Sequence, residues 1–108
     1  MEITIEYRAN DLLKGLAYIP KESPKKVIVF IHGLGDHYGR YTDWGNRFSD
    51  AGYVFMGVDL PGSGTSSGKR GHIDSFNTFH RIIDMLIDKA DDSFPGIPLV
   101  VFHVQDYI

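Results

Sequence analysis

The sequence contains no cysteine, and this absence excludes several kinds of chemistry. Without a thiol there is no disulfide framework, no thiolate nucleophile and no zinc site built on cysteine ligands. Missing cysteine fits a reducing compartment, so we expect a cytoplasmic protein. No apolar run approaches the roughly 20 residues of a membrane-spanning helix, and we predict no transmembrane segment. The first residues include Glu2 and Glu6 and lack the cationic start and apolar stretch of a secretory signal.

Positive charge is scarce as well. The 108 residues include 11 Lys and Arg against 14 Asp and Glu, which gives a net charge of -3. Because no basic block is present, we predict that the chain binds no nucleic acid through its phosphates. With 43% hydrophobic and 23% charged residues, the composition is that of a globular domain with a core. We therefore expect residues 1–108 to form a single domain.

Two kinds of hydrophobic pattern predict five strands. Residues 2–8 alternate between apolar and polar side chains, and residues 12–19 can return beside them as an antiparallel strand. Residues 27–31, 53–58 and 99–102 are continuously apolar instead. Continuous runs of this kind are typical of strands buried on both faces of a parallel sheet, so we expect all three to be buried.

In the two segments between these predicted strands, apolar residues recur with helical periodicity, which predicts one helix in each segment. Apolar residues recur near helical spacing from Tyr41 to Ala51, and Gly52 follows where a C-terminal cap belongs. Ser75 can cap a second helix whose apolar stripe runs from Phe76 to Ala90. The predicted fold class is α/β, with an N-terminal β-hairpin followed by a βαβαβ parallel sheet unit. Ligands of such sheets lie beyond the carboxyl ends of the strands.

The glycine-rich turn from His32 to His37 follows the first buried strand and is the first candidate for chemistry. Glycines allow unusual backbone angles, so the N–H groups can point outward and stabilise a developing oxyanion. The alternative is a tight turn whose glycines serve geometry alone. Asp59 also follows a buried strand. It is either an anchor for the neighbouring loop or a solvated acid at a strand end.

Several motifs occur in an order and spacing that resemble one family. They are His32-Gly33-x-Gly35, Gly39-Arg40-Tyr41, Asp59-x-x-Gly62-x-Gly64 and Gly68-x-Arg70-Gly71. Residues 10–102 resemble the N-terminal half of α/β-hydrolases of the monoacylglycerol lipase and lysophospholipase type, which are serine-aminopeptidase-like. The resemblance implies a partial α/β-hydrolase fold, acyl ester or lipid-like small substrates, and no cofactor.

The resemblance assigns one direct chemical role. In the family, the residue after His-Gly donates its backbone N–H to the oxyanion, and that position is Leu34 in this sequence. His32, Gly33, Gly35 and Asp36 would support the turn that aims this N–H group.

The nucleophile that the family requires is not found. Family members follow the last of these strands with Gly-His-Ser-x-Gly-Gly, whereas this sequence continues with His103 and has no serine after Ser93. A G-x-S-x-G pattern does surround Ser66, but it lies in a polar loop rather than at a strand-to-helix bend. We therefore expect a truncated α/β-hydrolase domain that lacks the nucleophile elbow and all later elements and is inactive by itself.

The sequence is also compatible with two other functions, a metal site and a binding module. The turn from His32 to His37 is similar to the metal-binding box H-x-H-x-D-H, but Leu34 occupies a ligand position, so we predict no metal site. The alternative to a hydrolase is a non-catalytic binding or interaction module. An apolar strand at 99–102 with a free edge would then favour a homo-oligomer through this C-terminal strand edge.

Overall fold

A computed structural model of the chain describes residues 1–32, 38–61 and 76–104, with only the backbone described at position 76. These residues form a mixed sheet with two α-helices. The strands are β1 (Glu2–Arg8), β2 (Asp11–Tyr18), β3 (Lys26–Ile31), β4 (Tyr53–Val58) and β5 (Leu99–His103), and the helices are α1 (Thr42–Asp50) and α2 (Phe76–Ser93). A 3₁₀ turn at Tyr38–Tyr41 leads directly into α1.

The sheet order is β1-β2-β4-β3-β5. β1 pairs antiparallel with β2, and β2 pairs antiparallel with β4. β3 runs parallel to both β4 and β5. The structure thus confirms the predicted α/β class, the N-terminal hairpin and the βαβαβ unit. It adds that the hairpin joins the parallel strands at β4 rather than at β3.

Local sequence explains where these elements begin and end. In β1 the alternation buries Ile3, Ile5 and Tyr7 and exposes the polar residues between them. Asn10 takes a φ of 66° in the turn between β1 and β2, a left-handed conformation that Asn tolerates. Gly52 takes a φ of 97° just after α1, as expected for a glycine that terminates a helix.

The two faces of the sheet carry different cores. On one face the buried residues of α2, Ile82, Leu86 and Ala90, pack with aliphatic side chains of the sheet. On the other face the core is aromatic and includes Phe30 and Phe55. An aliphatic core therefore lies between the sheet and the long helix α2, and an aromatic core lies between the sheet and the short helix α1.

The prediction that strand 99–102 is buried is wrong. Val100, Val101 and Phe102 are 44%, 38% and 49% exposed. The physical reason lies in the neighbours of β5. Within the described sheet β5 pairs with β3 alone, while α1 packs mainly on β4 and β2 and α2 on β1 and β3. The predicted helix cap Ser75 and the loop with Ser66 lie outside the described residues.

Candidate functional site

The carboxyl ends of β3, β4 and β5 meet at one rim because the three strands are parallel. The turn that the sequence singled out begins at this rim, directly after β3. Of the predicted site residues, His32 is described. Gly33, Leu34, Gly35 and Asp36 lie outside the described residues. The structure therefore defines the two flanks of the turn, at positions 32 and 38.

His32 holds the first flank. Its side chain is fully buried, and its Nε2 atom accepts a hydrogen bond of 2.9 Å from the backbone N–H of Leu60. A nitrogen that accepts a hydrogen bond carries no proton, so the neutral His32 ring has its proton on Nδ1. The ring thus ties the end of β3 to the segment that follows β4.

Asp59 holds the second flank. Its Oδ1 atom accepts a hydrogen bond of 2.7 Å from the backbone N–H of Tyr38, and the residue is only 7% exposed. Hydrogen bonds to an ionised carboxylate are shorter and stronger than neutral ones. The backbone N–H of Asp59 donates in turn to the carbonyl of Lys14 at 2.9 Å. This geometry favours the interpretation of Asp59 as a loop anchor over that of a solvated acid.

The two bonds form one device, which we call the β4 clamp: His32 with Leu60, and Tyr38 with Asp59. Both ends of turn 33–37 are tied to consecutive residues just past β4.

Tyr38 is the site residue that the sequence analysis missed. Its ring stacks on Phe55 at 5.9 Å between centroids, and its hydroxyl donates to the Phe55 carbonyl at 3.3 Å. Burial raises the pKa of the Tyr38 phenol well above its usual range, and Tyr18 raises it further, so the hydroxyl stays a donor. A Cβ atom on Gly57 would lie 2.7 Å from Tyr38 Cε1. The signal in the sequence was Gly57 itself, because a glycine inside a buried strand often marks a place where another group approaches the backbone closely.

The β5 side of the rim has contacts of a different kind. The backbone N–H of Val104 donates to the carbonyl of Ile31 at 3.0 Å, and the His103 ring lies 5.4 Å from the Phe79 ring. Partial burial lowers the pKa of His103, because it disfavours the charged ring.

The described part of the chain shows no group of three or more His, Asp or Glu side chains that could hold a metal ion. The Nε2 atom of His32, one of the nitrogens considered from sequence, is occupied by the Leu60 N–H group. In the same described part, neither helix has both the length and the apolarity needed to cross a membrane.

A family model described as serine aminopeptidase, S33, matches residues 22–103, which is most of the chain. The chain belongs to this family. The match confirms the resemblance to serine hydrolases that the motifs in the sequence indicated. It also includes the β4 clamp and the rim at which β3, β4 and β5 end.

Individual proteins are also similar to much of this chain. Phospholipase YtpA of Bacillus subtilis is 42% identical over 69 residues, covering 64% of this chain and 27% of that protein. Monoacylglycerol lipase of Mycolicibacterium smegmatis is 33% identical over 84 residues, covering 78% of this chain and 30% of that protein. The chain therefore spans less than a third of the length of these two relatives.

A solved structure confirms the fold. A lipase in its open form superposes with a TM-score of 0.84 and 26% identity, covering 97% of this chain and 36% of the lipase chain. The described sheet therefore corresponds to part of a lipase fold.

Proposed function

We propose that these 108 residues supply the oxyanion-hole side of a serine carboxylester hydrolase that acts on acyl esters of small lipids. The S33 family match supports the reaction class. Relatives described as a phospholipase and a monoacylglycerol lipase support the substrate class. The proposed acyl-enzyme reaction uses serine and acid–base chemistry and needs no cofactor.

The observation that carries the proposal is the β4 clamp. When a serine attacks an ester carbonyl, negative charge develops on the carbonyl oxygen, and N–H groups already fixed in place stabilise it at no reorganisation cost. In our proposal Leu34 donates its backbone N–H to this oxygen. His32 and Asp59 fix the flanks of the turn, and Gly33, Gly35 and Asp36 shape it between them.

We also propose that the 108-residue polypeptide by itself hydrolyses no ester. No serine follows Ser93, so none of its serines can stand at a bend after β5, where the family pattern requires the nucleophile. The test is hydrolysis of p-nitrophenyl butyrate by the purified polypeptide, against a buffer blank. Turnover that is present in the wild type and lost in Ser66→Ala would overturn this part of the proposal.

The role of Leu34 can be tested in a chimaera, in which residues 22–103 replace the matching segment of the Mycolicibacterium smegmatis monoacylglycerol lipase. Leu34→Pro removes the backbone N–H, and we expect kcat to fall about 100-fold to 1,000-fold with a much smaller change in KM. Leu34→Ala keeps the N–H and is the matched control, expected to stay within a few-fold of the parent chimaera. Equal kcat values for the Pro and Ala variants would contradict the assignment.

A further inference from the structure

The second flank of turn 33–37, formed by Tyr38 and Gly39, is tied to β2 as well as to the β4 clamp. The hydroxyl of Thr42, the first residue of α1, donates to the carbonyl of Gly39 at 2.9 Å. The hydroxyl of Tyr18, the last residue of β2, donates in turn to Thr42 Oγ1 at 3.2 Å. Two side-chain hydrogen bonds therefore lead from the hairpin to the backbone of the flank.

These two bonds run in one direction. A threonine hydroxyl carries a single proton, and Thr42 gives this proton to the carbonyl of Gly39. The oxygen of Thr42 is then left to accept the proton of the Tyr18 hydroxyl. Hydrogen bonds that follow one another in this way polarise and strengthen each other. The orientation of the Gly39 carbonyl therefore depends on Tyr18 through Thr42.

The packing of the Tyr18 ring on α1 places its hydroxyl. A Cβ atom on Gly45 would lie 2.5 Å from Cε2 and 2.7 Å from Cγ of Tyr18, so only a glycine leaves room for the ring. Thr42 and Gly45 are three residues apart on α1, and residues at this spacing share a face of a helix. A ring that lies on Gly45 therefore brings its hydroxyl to Thr42.

The sheet holds Tyr18 beside the residue on which Tyr38 packs. In the antiparallel pairing of β2 with β4, Tyr18 lies opposite Phe55, and the two rings are 6.4 Å apart between centroids. Phe55 also stacks against Tyr38 and accepts the hydrogen bond of its hydroxyl. The two tyrosines thus meet at one residue of β4. The bonds that reach Gly39 therefore start from a strand whose own position is fixed by the sheet.

We propose that Tyr18 is a positioning residue for the oxyanion hole, because it holds the second flank of turn 33–37 through Thr42 and the carbonyl of Gly39. This inference rests on the proposed oxyanion-hole role of the turn. Tyr18 acts through Thr42 and not on the substrate. Since β2 lies outside the matched residues 22–103, the inference extends the machinery of the site to the N-terminal hairpin.

The alternative role for these bonds is to dock α1 on the sheet. Docking, however, has an aromatic contact of its own, since Phe48 of α1 stacks on Phe55 at 5.4 Å between centroids. Tyr18→Phe removes the hydroxyl and keeps the ring that lies on Gly45. We therefore expect this substitution to leave α1 in place and to change the orientation of the flank.

Nuclear magnetic resonance of the ¹⁵N-labelled 108-residue chain tests the positioning role without any need for activity. Tyr18→Phe should shift the backbone amide resonance of Leu34, and Thr42→Val should shift it in the same direction. Thr42→Ser keeps the hydroxyl and should restore the wild-type resonance. The matched control Tyr53→Phe removes a phenol hydroxyl at the first residue of β4, away from the rim, and should leave Leu34 unchanged. Shifts confined to residues of α1 would mean docking alone and would overturn the proposal.

Kinetics separate this inference from the proposed function. In a chimaera extended to residues 1–103, Tyr18→Phe should lower kcat about threefold to tenfold with KM unchanged, as expected for one lost hydrogen bond that acts on the transition state. Tyr18→Phe combined with Thr42→Val should lower kcat no further than either alone, because both break the same chain of bonds.

Leu34→Pro in the same chimaera is the reference. If Leu34→Pro lowers kcat and Tyr18→Phe does not, the positioning role of Tyr18 is overturned while the oxyanion role of Leu34 stands. If Leu34→Pro leaves kcat unchanged, the proposed function fails, and the amide resonance of Leu34 alone decides whether Tyr18 positions the turn.

Discussion

The two sides of the carboxyl end of β3 are built differently. On the β4 side, two buried hydrogen bonds involving the side chains of His32 and Asp59 hold both flanks of turn 33–37. On the β5 side, β3 pairs with an exposed apolar strand as far as His103, and the backbone N–H of Val104 bonds to the carbonyl of Ile31. The two described flanks of the turn, residues 32 and 38, are thus both bonded to the segment that follows β4.

The buried polar groups on the β4 side cost little free energy because they form hydrogen bonds with one another. Among the described residues, no buried side-chain nitrogen or oxygen lacks a hydrogen-bond partner. An unpaired polar group in such surroundings costs about 1–3 kcal/mol, whereas a complete network adds rigidity. Rigidity of this kind suits the oxyanion-hole role that we propose for turn 33–37.

The largest effect that would test this contrast is expected from Gly57→Ala. The added Cβ would lie 2.5 Å from the carbonyl oxygen of Phe30 and 2.7 Å from Tyr38 Cε1, so the backbone or the ring must move. We expect the free energy of unfolding to fall by about 3 kcal/mol in urea denaturation. The near-ultraviolet circular dichroism should also change, because the Tyr38 ring is displaced.

Gly96→Ala is the matched control for this substitution. Gly96 has a φ of 78°, and a Cβ there would meet no atom within 4 Å. The cost is then backbone strain alone, about 1 kcal/mol. If both variants lose the same stability, the close packing of Tyr38 on Gly57 is not what makes the β4 side rigid.

The next largest effect is expected from Asp59→Ala. This change leaves the buried N–H of Tyr38 without its acceptor, and we expect a loss of about 2 kcal/mol in the free energy of unfolding. Asp59→Asn keeps an acceptor oxygen at the same distance and should cost less than half as much. Equal losses for the two variants would mean that the carboxylate matters for its charge rather than for its bond to Tyr38.

Much of the fold was predictable because it depends on local pattern. Alternation predicted β1 with its observed bounds, and the continuous apolar run predicted β4 as 53–58, also with its observed bounds. The position of the hairpin beside β4 was not predictable, because it depends on pairing between distant strands. The exposure of β5 was predicted wrongly, because apolar composition does not reveal which neighbours cover a strand.

The candidate site was predictable only in part. Its motif drew attention to His32 and Asp59, but the bond from Tyr38 to Asp59 joins residues 21 positions apart. Spacing along the chain does not reveal such a contact, since it arises only when β3 and β4 lie side by side. The close fit of Tyr38 on Gly57 depends on the same strand pairing.

The smallest expected effect is on the β5 side and concerns pH. Burial lowers the pKa of His103 below its ordinary value of 6.5. At a pH between the lowered pKa and 6.5, the unfolded chain binds more protons at His103 than the folded chain does. The neutral His103 therefore contributes fully to the stability of the fold above pH 6.5, and this contribution is lost as the pH falls through that range. Because the His103 side chain is exposed and screened by solvent, we expect only a shallow decline of the melting temperature between about pH 7 and pH 5.

His103→Gln should flatten this decline, whereas His80→Gln, at an exposed position on α2, should preserve it. Thermal melts across the same pH range give the comparison directly. If the melting temperatures of His103→Gln and of the wild type decline equally with pH, His103 on the β5 side of the rim contributes nothing to the pH dependence of stability.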